Sequence, residues 1–159
     1  MKPAILLAST MIPMVMGFIW YNEKTFGKIW MNETGMTKEK AKEANMIKTF
    51  GFTVLFSLMV SITLYQIVIH QSALQSLVMG DQTSETQAWL KAALSKYGNN
   101  FRTFKHGMMH GFMTGLFLVL PVVGVGSQFE MKSWKYIFIT AGYWIVSMMV
   151  MGGIICQWG

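Results

Sequence analysis

Acidic side chains are scarce and confined. The 159 residues include seven Asp and Glu against thirteen Lys and Arg, a formal charge of +6, and charged residues make up only 13% of the chain. Soluble domains carry about twice that fraction. Stretches 3–21, 49–69, 107–126 and 136–156 contain no charged residue at all. The missing carboxylates remove the usual charge carriers of proton- and cation-coupled transport. One cysteine, Cys156, excludes an internal disulfide and a multi-cysteine metal site. No glycine-rich phosphate loop or metalloprotease signature occurs, and no nucleophile has a spaced base and acid beside it. The expectation is a protein that is not an enzyme. Its modest positive charge, spread over the connections, suits anionic lipid headgroups and indicates no nucleic-acid partner.

What the chain has in abundance is apolar length. Hydrophobic residues make up 53% of it, and each charge-free stretch is about 20 residues, enough to cross about 30 Å of hydrocarbon. The expected fold is all-α. Residues 1–159 form a single integral membrane domain, a four-transmembrane-helix bundle with an interfacial amphipathic helix between spans 2 and 3. The first stretch begins like a signal peptide, but its length, Pro13 and the lack of a small-x-small site favour an uncleaved helix. Sixteen methionines read as flexible apolar filling rather than a copper path.

Span 3 organises the bundle. Gly107, Gly111 and Gly115 recur every four residues and form a side-chain-free groove. Such grooves let a second helix approach closely in a bilayer, where the backbone bonds are satisfied only within the helix. His110, Thr114 and Pro121 are expected on the groove side, and Met109, Phe112, Met113 and Leu116 toward lipid. In span 2, Thr49, Thr53, Ser57 and Ser61 form a polar stripe suited to face that groove. Gly142, Val146, Met149 and Gly153 share a stripe on span 4, and the short 127–135 link makes spans 3 and 4 antiparallel neighbours. Outside the spans, Thr37 is an N-cap whose helix is expected to run unbroken into span 2. Ser84-Glu85-Thr86-Gln87 fits a capping box opening a helix with Trp89, Leu90, Ala93, Leu94 and Tyr97 on one face. Residues 26–31 read equally as a segment in the headgroup plane or as a loop. Glu130, beside Lys132 and Lys135, reads as a solvated turn more readily than as part of an inter-loop ion pair.

Three histidines remain. His106 and His110 are one turn apart, and His70 ends span 2 on the same side of the membrane. The simpler expectation places His70 and His106 in interfacial water and bonds His110 to a Ser or Thr, so that no metal and no cofactor is assigned. The alternative is a haem-, quinone- or metal-binding subunit, which keeps His70, His106, His110 and Thr114 as a possible ligand or polar site. The leading functional expectation is a non-enzymatic accessory or scaffold subunit of a larger membrane complex, or a homo-oligomer, surrounded by membrane lipids. Gly107, Gly111, Gly115, Thr53, Ser57 and Ser61 would supply its packing surfaces. A small-solute pore or carrier lined by Thr53, Ser57, Ser61, His110 and Thr114 is the other course. Eight Lys and Arg fall in the 1–2 and 3–4 links and five on the opposite side, which favours both termini outside.

Gly17 with Trp20-Tyr21, Phe26-Gly27-Lys28-Ile29-Trp30-Met31 and Gly35 form a recognisable order in the first half. Pro121, Phe129-Glu130, Ser133, Lys135, Gly142-Tyr143-Trp144, Gly152-Gly153 and Trp158 do so in the second. In this pattern the chain resembles a bacterial family of small four-helix integral membrane proteins catalogued as a domain of unknown function. The resemblance implies a bacterial inner-membrane protein and transfers no catalytic or binding residue.

Overall fold

The computed structural model describes residues 1–159, which form helices and their connections without a strand. In chain order the helices are α1 (Pro3–Trp20), α2 (Gly27–Thr34), α3 (Lys38–Lys42), α4 (Met46–Val68), α5 (Gln71–Leu77), α6 (Ser84–Tyr97), α7 (Phe104–Phe129) and α8 (Trp134–Trp158). Four of them, α1, α4, α7 and α8, are long and apolar enough to cross a membrane, and the protein is membrane-embedded on that ground.

The central helix is α8. Half of its most apolar window is buried, against 11% in α7 and 17% in α1. It is central because small residues line its contacts. A Cβ built on Gly107 would lie 2.1 Å from the Gly152 carbonyl oxygen, and one on Gly111 2.1 Å from that of Met148. Gly115 is pressed less tightly against Ile145, where a Cβ would lie 2.7 Å from its Cα. The span 3 groove is therefore filled by α8 and not by the polar stripe of α4. The short 3–4 link makes α7 and α8 adjacent in sequence as well as in space.

The α4 stripe packs elsewhere. Ser61 lies 3.2 Å from the Ser9 hydroxyl and 3.4 Å from that of Thr10 on α1, and Ser57 is buried one turn away on the same face. Thr53 back-bonds to the Thr49 carbonyl at the exposed end of the helix. Further along the same face of α1, Tyr143 donates to the Pro13 carbonyl at 2.8 Å and the Trp20 indole N–H to the Ile139 carbonyl at 3.0 Å. Leu64, Val68, Ile69, Met148, Met151, Ile155 and Cys156 close the core between α4 and α8.

Within α7, residues Gly115–Val119 form a π turn. Pro121 has no N–H for the carbonyl four residues back, and a widened turn accommodates that loss. The extra residue rotates the C-terminal part of the helix by about 100°, so Pro121 is exposed instead of facing the groove side.

The connections hold more helix than their sequence suggests, with breaks in other places. Residues 26–31 belong largely to α2, which Gly35 ends in the left-handed conformation at φ 65°. Thr37 caps α3 as expected, but the helix stops at Lys42 instead of continuing into span 2. Asn45 caps α4 separately, accepting from Lys48 N–H at 3.0 Å. The cap of α6 is Thr83, one residue ahead of the Ser84 box. Asp81 binds both Thr83 N–H (2.9 Å) and the Thr86 hydroxyl (2.6 Å) there, an alternative a hydroxyl-based pattern omits. Glu23 pairs with Lys38 at 2.7 Å and Ser133 donates to Glu33, while Glu130 makes no ion pair.

Candidate functional site: a cluster of three histidines

Helix α4 ends because Ile69 turns extended (φ −100°, ψ 91°) while remaining buried. His70 comes next, at the N-cap position of α5. Facing it, Thr103 opens α7 by accepting from His106 N–H at 3.2 Å. His106 and His110 then stand one turn apart on the same strip of α7. That strip flanks the glycine groove. Close seating of Gly107 against Gly152 holds the helix at the depth where the rings meet His70.

The imidazoles of His70 and His110 both meet the ring of His106. His70 Nε2 lies 2.9 Å from His106 Nε2, and His110 Nε2 lies 3.1 Å from the same atom. One potential ligand nitrogen from each ring falls within 4.8 Å of the others. His70 is exposed, and the other two are half-buried, so the cluster opens from the polar end of the bundle downward into the span. His110 accordingly meets another histidine instead of the Ser or Thr expected for it, and the Thr114 hydroxyl is spent on the His110 carbonyl at 2.8 Å.

A turn is fastened over the cluster. Gln71 donates to the carbonyls of Tyr97 (3.0 Å) and Asn100 (2.9 Å), and the Cys156 thiol reaches the Phe101 carbonyl at 3.2 Å. Phe101 stacks on His106 at 5.1 Å between centroids and meets His70 edge-on at 6.0 Å. Its φ of 62° lies in a region costly for a bulky side chain, by about 1–3 kcal/mol, a strain concentrated at functional sites. In sequence Phe101 reads as a plain interfacial residue, and only the turn signal Gly98-Asn99-Asn100 points at it. No carboxylate lines the hollows beside the cluster, which are bordered by Gln71, Leu74, Tyr97 and Asn100 on one side and Ile67, Met113, Phe117 and Leu118 on the other.

The remaining candidate residues do not join this site. Gly107, Gly111 and Gly115 are buried under α8, and Ser57 and Ser61 are buried on the α1 side of α4. Thr53, Ser57, Ser61, His110 and Thr114 therefore do not line a common path.

No curated protein and no solved structure matches the chain. A family model described as a protein of unknown function, DUF1761, matches residues 4–156. With nearly the whole length covered, the chain belongs to that family.

Proposed function

We propose that the protein is a membrane-embedded binder of a divalent transition metal, held by the Nε2 atoms of His70, His106 and His110. One observation carries the reading: three imidazole nitrogens crowd together without a carboxylate among them, two of them within 3.1 Å of His106 Nε2. Zinc–imidazole bonds of about 2.0–2.1 Å in a tetrahedral shell put ligand nitrogens about 3.3 Å apart, close to the 2.9 and 3.1 Å found here. Hydrogen bonding suits the arrangement less well. His106 Nε2 has either one proton or one lone pair, and it faces two neighbours at once. Imidazole donors suit zinc, copper, iron and nickel, and three of them leave a fourth position open. With no acid beside that position to act as a general base, the reading is of binding and not of hydrolysis. The resemblance of the chain supports placing this activity in a bacterial inner membrane.

The test is metal content of the full chain purified in mild detergent and incubated with zinc. About one equivalent is expected, falling several-fold in His106→Ala and in His70→Ala. Wild-type protein with no stoichiometric metal, or variants that retain it, would overturn the proposal.

A second reading, the non-enzymatic accessory subunit, is supported by the burial imbalance, since few residues of α1 and α7 are fully buried. The glycine groove no longer motivates it, because α8 fills that groove. Stoichiometric co-migration with a larger complex on native electrophoresis would support it, and migration alone would remove it.

A further inference from the structure

From the geometry we infer that the open position on the tri-histidine metal takes the carboxylate of a single-chain membrane amphiphile, whose apolar chain lies in the cleft between α4 and α7. This rests on the metal-binding reading and names the ligand of that same site.

Two observations support it. The first is continuity. A groove of about 290 Å³ runs between α4, α7 and α8, and eight of its ten lining residues are hydrophobic, among them Met59, Leu64 and Met148. It shares Ile67, Thr114 and Leu118 with a second hollow of about 320 Å³ that reaches His110. Leu118 and Val119 on its wall belong to the π turn, a feature frequent at functional sites. Met59 and Phe117 beside these hollows are largely exposed, so the cleft opens toward hydrocarbon. A ligand entering from that side arrives with its chain already in lipid.

The second is charge. A divalent ion on three neutral imidazoles carries two uncompensated positive charges at the edge of a low-dielectric region, where an unpaired charge is costly. No carboxylate lines either hollow beside the rings. The missing negative charge must come from outside the chain. A carboxylate is an oxygen donor that binds such metals at about 2.0–2.2 Å, and a chain attached to it would follow the hollow from His110 into the groove.

The experiment loads the full chain with cobalt(II) in a neutral detergent and titrates palmitate or acetate while the visible cobalt bands are recorded. Palmitate should perturb the bands at a concentration at least tenfold below acetate. Thr63→Trp, which fills the groove far from the rings, should remove that preference while leaving cobalt binding unchanged. Micellar partitioning is the same for wild type and variant, so the variant isolates the groove. Equal midpoints for the two acids, or a preference that survives Thr63→Trp, would overturn this inference and leave the metal reading standing. Phosphatidylglycerol acting at lower concentration than palmitate would assign the site to a phospholipid headgroup and overturn it also. Absence of histidine-dependent cobalt bands would bring down the metal reading and this inference with it.

Discussion

At the scale of single residues, the packing of α7 on α8 depends on what glycine leaves out. A methyl on Gly111 would enter the backbone of Met148 at 2.1 Å, whereas one on Gly124 meets nothing within 4 Å. Backbone cannot rotate aside as a side chain can, so Gly111→Ala should destabilise by at least the roughly 1–3 kcal/mol typical of overpacking. Gly124→Ala should be neutral or stabilise by up to about 1 kcal/mol. Thermal melting of both variants in detergent checks this, and equal melting temperatures would refute the packing account. The importance of Gly107, Gly111 and Gly115 was legible from their spacing alone. Their partner was not, because helical spacing defines a face without saying which neighbour covers it. The histidines behaved similarly. His106 and His110 were evidently one turn apart, but their meeting with His70 depends on how deep α4 and α7 sit against each other. The left-handed Phe101 that covers them was out of reach, since nothing in a phenylalanine announces positive φ.

At the scale of elements, local capping chemistry decides where the connecting helices begin. Thr37 was readable as a cap, yet Asn45 interrupts the run that charge patterning made continuous. Its side chain satisfies Lys48 N–H as well as a preceding helical turn would. The start of α6 shows the same competition. The Thr86 hydroxyl and the Thr83 N–H hold the Asp81 carboxyl below its usual range. A carboxyl whose value is lowered by folding stabilises the fold above its unfolded value of about 3.9, and that contribution is lost as pH falls through the lower folded value. The difference in melting temperature between wild type and Asp81→Asn should therefore be constant from neutral pH down to about 4 and close below it. A difference that widens in acid would contradict this role for Asp81. The π turn is a further case of a constraint visible in sequence with a consequence that was not. Pro121 signalled a disturbed helix, but a bend and an inserted residue solve the same missing N–H, and only the latter rotates the C-terminal part of the span.

At the scale of the whole molecule, the tri-histidine cluster lies at the end of the bundle reached by the α4–α7 connection, opposite the lysine-rich 1–2 link. For the proposed metal site, orientation therefore decides which compartment would supply the metal. Eight Lys and Arg against five favour the lysine-rich links in the cytoplasm, which puts the cluster on the outer face. Cys156 is fully buried and bonded to the Val68 and Phe101 carbonyls, so it is silent toward impermeant thiol reagents and the native chain serves as background. Ser95→Cys on α6 and Ala44→Cys before α4 introduce thiols at exposed positions on opposite sides without altering the charge count. In intact cells Ser95→Cys should react from outside, and Ala44→Cys only after permeabilisation. The outer placement would make the site a receiver of metal from the extracytoplasmic side, with the opening at His70 as the way in. Should Ala44→Cys react and Ser95→Cys be protected, the cluster faces the cytoplasm. The metal would then be drawn from a pool in which reduced thiols compete for it, and three imidazoles without a thiolate would have to hold it against them.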